Sequence, residues 1–168
     1  HLEDDLHALA RKNASESRQE APASVQGKLG EMANTPDASF HLFSKGAFQV
    51  FLFRGDESPD TLEALGRARS ITFRAAGQGT GKDVDLSPED DYYHHLVVWD
   101  TENQRLAGAY RIGLVPEILR EHGQPGLYLD HVFHIDPAFF QRFSRSMELS
   151  RSFVLPDYQK DNRVLPLL

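Results

Sequence analysis

Apolar residues occur along the chain in runs that separate strands from helices. The run Phe48–Phe53 is typical of a buried strand, and Tyr93–Asp100 has the same aromatic and apolar character. The polar pair Glu102-Asn103 comes next, and a further apolar stretch, Leu106–Leu114, follows it. Two apolar stretches joined by so short a polar link predict a β-hairpin.

Helical spacing is clearest between residues 59 and 74. Four apolar residues recur there every three or four positions: Leu62, Leu65, Ala68 and Ile71. Pro59 stands near the start, where a helix accepts a proline. The pattern predicts a helix that ends at about Phe73 or Arg74, before a glycine-rich loop.

The second half of the chain has shorter patterns. Helices are predicted at Pro116–His122 and from Pro137 to about Arg145. Leu127–Ile135 is predicted to be a strand. Met147–Val154 fits either a strand or a continuing helix, and periodicity alone leaves that choice open.

The first 39 residues have a different composition from the rest. Ala, Ser, Gln, Glu and Pro dominate residues 13–26, and the first aromatic residue is Phe40. Such a segment buries too little apolar surface to offset the entropy lost on ordering. Residues 1–39 are therefore predicted to be a linker or disordered, with a short helix marked by Leu2, Leu6 and Leu9, and residues 40–168 to form the folded domain.

Composition and charge exclude several classes of protein. The 168 residues are 40% hydrophobic and 26% charged, as in ordinary globular domains, and no apolar run approaches the length of a membrane span. A net charge of -7 argues against nucleic acid as a partner and against tight adhesion to anionic lipid. The absence of Cys excludes disulfides and thiolate chemistry, and it fits a cytoplasmic location.

Two motifs imitate ligand sites without the context that such sites need. Ala76–Lys82 lacks the first glycine of a phosphate-binding loop, and the acidic Asp83 follows it. The neighbours His94-His95 would point to opposite faces of a strand, and His131 and His134 would do the same. Neither a nucleotide site nor a metal site is predicted.

Charged residues interrupt several of the apolar elements. They are Arg69, Asp90, Arg111, Glu148 and Arg151. Because charges are seldom buried without partners, we expect the two carboxylates to pair with the three guanidinium groups. From the residues alone, a structural salt-bridge network and a functional site explain the pattern equally well.

Five strings of this chain resemble, in order, those of one branch of the GNAT acyltransferase superfold. The branch contains hemolysin-like proteins and ornithine N-acyltransferases, and it is related to the acyl-homoserine lactone synthases. The strings are Gly66–Arg74, Gly77–Gly81, Tyr92–Asp100, Gly108–Ile112, and Met147–Val154 with Tyr158-Gln159. The resemblance covers roughly residues 40–168, and it departs from the family pattern at Gln78, Ser87 and Ser150.

The resemblance implies an α/β (α+β) fold with a central mixed, mostly antiparallel sheet flanked by helices, whose C-terminal part lies beyond Leu168. It also implies that Met147–Val154 is the central fourth strand. Strict alternation would divide the residues of this strand between two faces: Glu148, Ser150 and Ser152 on one, and Met147, Leu149, Arg151 and Phe153 on the other. A bulge is expected nearby, and it would free a backbone N–H to hold a thioester oxygen.

The function that the resemblance implies is N-acyl transfer. An acyl-phosphopantetheine donor, either acyl carrier protein or acyl-CoA, would give a fatty acyl group to the amine of an amino acid or aminolipid precursor such as ornithine or glycine. No bound cofactor is expected. Glu148 would be the general base, directly or through water, and Arg69 and Arg111 would anchor the acceptor's carboxylate or order the site.

The remaining matched residues have supporting roles by the same resemblance. Asp90 would hold the arginines or bind the acceptor's amine. Arg151 would pair with Glu148 or Asp90. Phe73 and Phe133 would line the acyl or acceptor pocket, although aromatic residues of a plain core explain them at least as well.

Two other functions stay open at this point. One is an acyl-homoserine lactone synthase, and the other is a non-catalytic module that binds an acyl carrier or a lipid. Basic clusters such as Arg142 and Arg145 would meet the acidic carrier protein. We expect a cytoplasmic enzyme, with peripheral contact at the inner face of the membrane.

Overall fold

The computed structural model describes residues 23–34, 40–143 and 145–168. The helices are α1 (Ala23–Asn34), α2 (Pro59–Ala75), α3 (Glu89–Tyr92), α4 (Val115–Glu121), α5 (Tyr128–Val132) and α6 (Pro137–Arg142). The strands are β1 (His41–Lys45), β2 (Phe48–Arg54), β3 (His94–Asp100), β4 (Arg105–Leu114) and β5 (Met147–Val154). None of the helices in these ranges is both long and apolar enough to cross a membrane.

The described strands form one sheet in the order β1-β2-β3-β4-β5, and each pairs antiparallel with its neighbours. The predicted hairpin is present as β3 and β4. Its turn is held by Asp100, whose carboxylate accepts hydrogen bonds from the backbone N–H groups of Glu102 and Asn103. The helix-flanked sheet confirms the predicted α/β fold class.

Helix α2 lies against one face of the sheet, as its apolar spacing predicted. Leu62, Leu65 and Ala68 are buried in the main core, and Phe73 packs edge-on against Phe153 of β5 at 6.2 Å between ring centres. Pro59 occupies the first turn, where no backbone donor is needed. The predicted helix is thus confirmed almost residue for residue.

The other face of the sheet is partly covered by the C-terminal residues. Phe48 packs against Tyr158 at 6.2 Å between ring centres, and Val164 and Leu167 are buried in the same core. The Tyr158 hydroxyl donates to Asp100 at 2.7 Å. Residues 156–168 are therefore attached to the sheet at the end where the hairpin turns.

The prediction of a strand at Leu127–Ile135 is wrong. A 3-10 turn at Gln124–Gly126 leads into α5, and α6 then ends at Arg142 rather than at about Arg145. The physical reason is that β4 is already paired with β3 and β5, so this segment has no neighbour there to join. Met147–Val154 is strand β5, as the family resemblance implied and periodicity could not decide.

The prediction of a linker at 1–39 needs correction where the structure describes it. Residues 23–34 form α1, and Leu29 is 1% exposed. Gly30 lies against Trp99, since a Cβ at this position would be 3.2 Å from the indole ring. Local composition contains no sign of these contacts, because the surface that stabilises α1 belongs chiefly to α2, with smaller parts from β4 and β3. The helix predicted at Leu2, Leu6 and Leu9 lies outside the described residues.

Candidate functional site

The interrupting charges predicted from the sequence come together on the face of the sheet that α2 covers. Arg69 of α2 and Asp90 of α3 are 1% and 0% exposed, and Arg111 of β4 and Glu148 of β5 are 1% and 3% exposed. Strand pairing places Arg111 opposite Ser150 and Gly113 opposite Glu148. The two strands thus bring the side chains of residues 111 and 148 to the same face.

Arg69 is held by two carboxylates and a carbonyl. Its Nη1 and Nη2 each lie 3.0 Å from a carboxylate oxygen of Asp90, a bidentate pairing. Its Nε lies 3.0 Å from Asp85 Oδ2, and its Nη2 also donates to the Asp85 backbone carbonyl. Every nitrogen of this guanidinium faces an oxygen of the protein, so Arg69 is built into the site's framework.

Asp90 is the counter-charge shared by both buried arginines. Its Oδ2 accepts from the Ser87 backbone N–H at 2.7 Å and lies 3.3 Å from Arg111 Nη1. Burial alone would raise the pKa of Asp90, but the hydrogen bond and charge of Arg69, with Arg111 and Ser87, lower it to about 2. Asp90 is therefore ionised at any physiological pH.

Arg111 lies between two tyrosine rings. Its guanidinium carbon is 5.0 Å from the centre of the Tyr93 ring and 4.8 Å from that of Tyr128. Its Nε donates to Ser150 Oγ at 2.9 Å, and its Nη1 donates to Ser87 Oγ at 3.1 Å. Among the described residues, Nη2 of Arg111 is buried and has no hydrogen-bond partner.

Glu148 is buried beside Arg111. The Tyr93 hydroxyl donates to Glu148 Oε2 at 2.9 Å, while Oε1 has no hydrogen-bond partner in the part of the chain that the structure describes. Burial raises the pKa of Glu148 above its ordinary value, against the Tyr93 hydrogen bond, the Leu129 and Tyr128 backbone amides and the Arg111 charge. The result is a carboxylate that accepts a proton more readily than a surface glutamate does.

The predicted bulge is present in β5. Ser150 pairs with Arg111 and Phe153 pairs with Ala109, so Arg151 and Ser152 together stand opposite the single residue Tyr110. Arg151 has a φ of 51°, in the left-handed region. The bulge moves Phe153 onto the face of Glu148, where strict alternation would have put Ser152.

Arg151 reaches the same cluster from the bulge. Its guanidinium carbon lies 5.3 Å from the centre of the Tyr128 ring, and its Nη1 lies 3.8 Å from Asp85 Oδ2. Tyr128 therefore meets both Arg151 and Arg111, and Arg151 pairs with Asp85 rather than with Glu148 or Asp90.

The two predicted aromatic residues have different surroundings. Phe73 packs against the main core through its contact with Phe153. Phe133 is 60% exposed at the C-terminal end of α5. Their place in an acyl or acceptor pocket stays a prediction.

Sequence reasoning missed several residues of this cluster. Tyr93, Tyr128, Ser87 and Asp85 all contact the matched charges, yet none was predicted to belong to the site. The sequence did offer an indication for Tyr93, which follows Asp90 by three residues. That stretch was interpreted only as a strand and as part of the family resemblance. Tyr128 was missed because Leu127–Ile135 was predicted to be a strand, whereas α5 begins there with Tyr128 against Arg111.

Comparison with known proteins bears on this arrangement. The family described as acetyltransferase (GNAT) domain matches residues 68–168. A glycine N(alpha)-acyltransferase of Phocaeicola vulgatus is 35% identical over 144 residues, which cover 83% of this chain and 44% of the relative. One of Bacteroides thetaiotaomicron is 35% identical over 140 residues, covering 80% and 42%. The chain spans less than half the length of these curated relatives. No solved structure matches it significantly.

Proposed function

The chain belongs to the acetyltransferase (GNAT) domain family, and from this we propose that its protein is an N-acyltransferase that moves a fatty acyl group from acyl carrier protein or acyl-CoA to the amine of a small amino acid. The observation that carries the proposal is the buried Glu148, with one free carboxylate oxygen, beside an arginine with one free donor. The relatives are glycine N(alpha)-acyltransferases, which favours glycine over ornithine as the acceptor.

The reaction joins an amine to a thioester. The acceptor's nitrogen attacks the carbonyl carbon, a C–N bond forms, and the carbonyl oxygen becomes an oxyanion. The C–S bond then breaks, and the phosphopantetheine thiol leaves. The amine must lose a proton on the way, so the site needs a base, a donor for the oxyanion and a means of holding the acceptor.

Glu148 is the proposed base. Its Oε1 is buried and has no hydrogen-bond partner among the described residues, so we assign this oxygen to the amine's proton. A pKa raised by burial brings the carboxylate closer to the operating pH, which makes proton transfer more efficient. The proton would afterwards pass to the departing thiolate or to water.

Arg111 is the better of the two predicted carboxylate anchors. Arg69 has Nη1, Nη2 and Nε within 3.0 Å of oxygens of Asp85 and Asp90, whereas Nη2 of Arg111 is buried without a hydrogen-bond partner among the described residues. We therefore assign the acceptor's carboxylate to Arg111, with Asp90 and the two tyrosine rings holding the guanidinium in place. Arg69 does not contact the acceptor in this assignment, and its role is to hold Asp90 in place.

The bulge in β5 offers a hydrogen-bond donor for the oxyanion of the thioester. A bulge leaves its extra residue outside the hydrogen-bond ladder, and the bulge here begins three residues after Glu148 in the same strand. A backbone N–H at Arg151 or Ser152 would hold the developing oxyanion. The acyl carbonyl would then lie between this donor and the base.

The donor's approach would follow exposed basic and aromatic residues. Arg142 and Arg145 are exposed at the end of α6, and they suit an acidic carrier protein. Phe139 and Phe143 beside them are 49% and 45% exposed, and they would meet the acyl chain or the inner face of the membrane. On this proposal the enzyme is cytoplasmic.

The direct test is product formation by the full-length protein. We expect N-acylglycine from glycine with palmitoyl carrier protein or palmitoyl-CoA, detected by mass spectrometry, and less product from ornithine. Glu148→Gln should lower kcat/KM by about 100- to 10,000-fold. Glu63→Gln changes an exposed glutamate that pairs with Arg67 on α2, and it should leave the rate unchanged.

The other outcomes distinguish the rival functions. Release of methylthioadenosine from S-adenosylmethionine would identify an acyl-homoserine lactone synthase instead. Tight binding of the acylated carrier protein without any product from a panel of amines would favour a non-catalytic module. Full activity of Glu148→Gln would exclude Glu148 as the base.

A further inference from the structure

Tyr93 occupies the junction between α3 and β3, directly behind Glu148. Its side chain is completely buried, and its hydroxyl lies 2.9 Å from Glu148 Oε2. The backbone N–H of Tyr128 donates to the same hydroxyl oxygen at 3.0 Å. Nothing in the family resemblance gave this tyrosine a role.

The direction of this hydrogen bond is determined by the neighbours of Tyr93. A hydroxyl has a single proton to donate, and the competing acceptor, the Gly126 carbonyl, is 3.5 Å away. Because the Tyr128 amide already donates to the hydroxyl oxygen, the proton is left to point at Glu148. The contact is therefore a hydrogen bond donated to the carboxylate, which favours its ionised form.

The ring of Tyr93 has little freedom to turn away. Arg111 stacks on the ring at 5.0 Å, and Gly113 of β4 lies against it, since a Cβ on that glycine would be 2.8 Å from Tyr93 Cζ. Only a residue without a side chain leaves room for the ring there. The phenol is thus held in one orientation by groups that are themselves buried.

We infer that Tyr93 is a positioning residue for Glu148: its hydroxyl holds Oε2 and thereby turns Oε1 toward the amine of the acceptor. The inference rests on the proposed role of Glu148 as the base. It adds a residue that never touches the substrate, yet determines the orientation and the proton affinity of the group that does.

The same contact sets the pH range over which Glu148 is ionised. The charged and titratable side chains that act on Glu148 are Arg111 from β4 and Tyr92 and Tyr93 before β3, and the backbone N–H groups of Tyr128 and Leu129 in α5 add to them. Burial raises the pKa of Tyr93 itself, so the phenol stays protonated and able to donate throughout the working range. Removing its hydroxyl takes away a bond to the carboxylate and should raise the pKa of Glu148 further.

The experiment compares the pH dependence of kcat/KM for the full-length wild type and Tyr93→Phe, with glycine and one acyl donor. The variant keeps the ring that stacks on Arg111. The acidic limb of its pH profile should move up by about one pH unit. Its kcat/KM should therefore be about tenfold lower than that of the wild type at acidic pH, and the difference should shrink as the pH rises. The acceptor's own titration is the same for both proteins, so it cancels in the comparison.

A matched control and a second variant separate this role from a structural one. Tyr158→Phe removes a buried hydroxyl that donates to the Asp100 carboxylate at 2.7 Å, at the hairpin end of the sheet, and it should leave the acidic limb where it is. Replacing Tyr93 alone by 3-fluorotyrosine keeps the fold and makes the phenol a stronger donor, so the limb should move to lower pH.

The possible results lead to distinct conclusions. An equal loss at every pH for Tyr93→Phe, with no movement for the fluorinated protein, would overturn the positioning role while leaving Glu148 as the base if Glu148→Gln is inactive. A fully active Glu148→Gln would instead overturn the proposed function's base and this inference with it. Opposite movements of the limb in the two Tyr93 variants would establish the inference.

Discussion

Replacing Asp90 by Asn should destabilise the protein more than any single loss of apolar contact in the same region. Asp90 is fully buried, and it accepts two hydrogen bonds from Arg69 at 3.0 Å and another from the Ser87 N–H at 2.7 Å. It also forms an ion pair with Arg111 at 3.3 Å. Asn offers one acceptor and turns an N–H₂ group toward a guanidinium. Two buried arginines would lose their shared counter-charge, which costs about 3–5 kcal/mol.

The pH dependence of the wild type gives an independent measure of the same interaction. Because the folded pKa of Asp90 lies below its value of 3.8 in the unfolded chain, its contribution is fully present above pH 4. The contribution is lost as the pH falls from about 4 through about 2. A pKa of about 2 in the folded state corresponds to a loss of about 2 kcal/mol over this range.

Urea unfolding at pH 7 and pH 2, followed by circular dichroism, measures both quantities. Asp83→Asn is the matched control, because Asp83 pairs with Arg74 at 3.4 Å while its own side chain is 89% exposed. That surface pair should contribute less than about 1 kcal/mol. In Asp90→Asn, the part of the acid sensitivity that comes from residue 90 should be gone.

A small effect would refute this reasoning. If Asp90→Asn unfolds within about 1 kcal/mol of the wild type at pH 7, the buried arginines do not depend on the carboxylate as the geometry requires. If the variant is strongly destabilised but keeps the acid sensitivity of the wild type, some other carboxylate carries the pH dependence.

Three further predictions concern other parts of the structure. Gly113→Ala should lower the free energy of unfolding by about 1–3 kcal/mol, because a Cβ there would be 2.8 Å from Tyr93 Cζ; an unchanged melting temperature would contradict this. Leu29→Ala should cost about 2–5 kcal/mol in urea unfolding, and a cost near zero would show that α1 is not part of the core. Arg111→Lys should raise KM for glycine about tenfold or more with a smaller change in kcat. The single ammonium nitrogen of Lys cannot replace a planar guanidinium that stacks on Tyr93 and Tyr128 and binds the acceptor's carboxylate with a further nitrogen. Steady-state kinetics that show an unchanged KM would mean that the acceptor's carboxylate binds elsewhere.

Local patterns predicted most of the regular structure. The hairpin of β3 and β4 and the long helix α2 follow from apolar spacing and turn residues, so their bounds differ from the predictions by only one or two residues. The segment after α4 was mispredicted because its apolar residues fit a strand locally. Whether a strand forms there depends on a free sheet edge, and β5 takes the edge of β4 from a position further along the chain.

The candidate site was predicted in part. The buried charges were recognised because charges inside apolar elements need partners, and Asp90 does pair with Arg69 and Arg111. The division of labour between the two arginines was not predictable. It depends on Asp85, which lies in a loop and binds Arg69 but not Arg111 in the described structure.

Residue type and short-range spacing predicted the hairpin of β3 and β4, the helix α2 and the need of Asp90 and Arg111 for partners, because these properties are local. Which charges meet depends on the tertiary structure. Arg69 and Asp90 are 21 positions apart, and Tyr93 and Glu148 are 55 apart, so their contacts exist only once the sheet has formed against α2. Burial within that assembled layer would raise the pKa of both carboxylates, but Arg69 and Arg111 lower the pKa of Asp90 while that of Glu148 stays raised, since proton affinity depends on surrounding charge and solvent rather than on the order of residues.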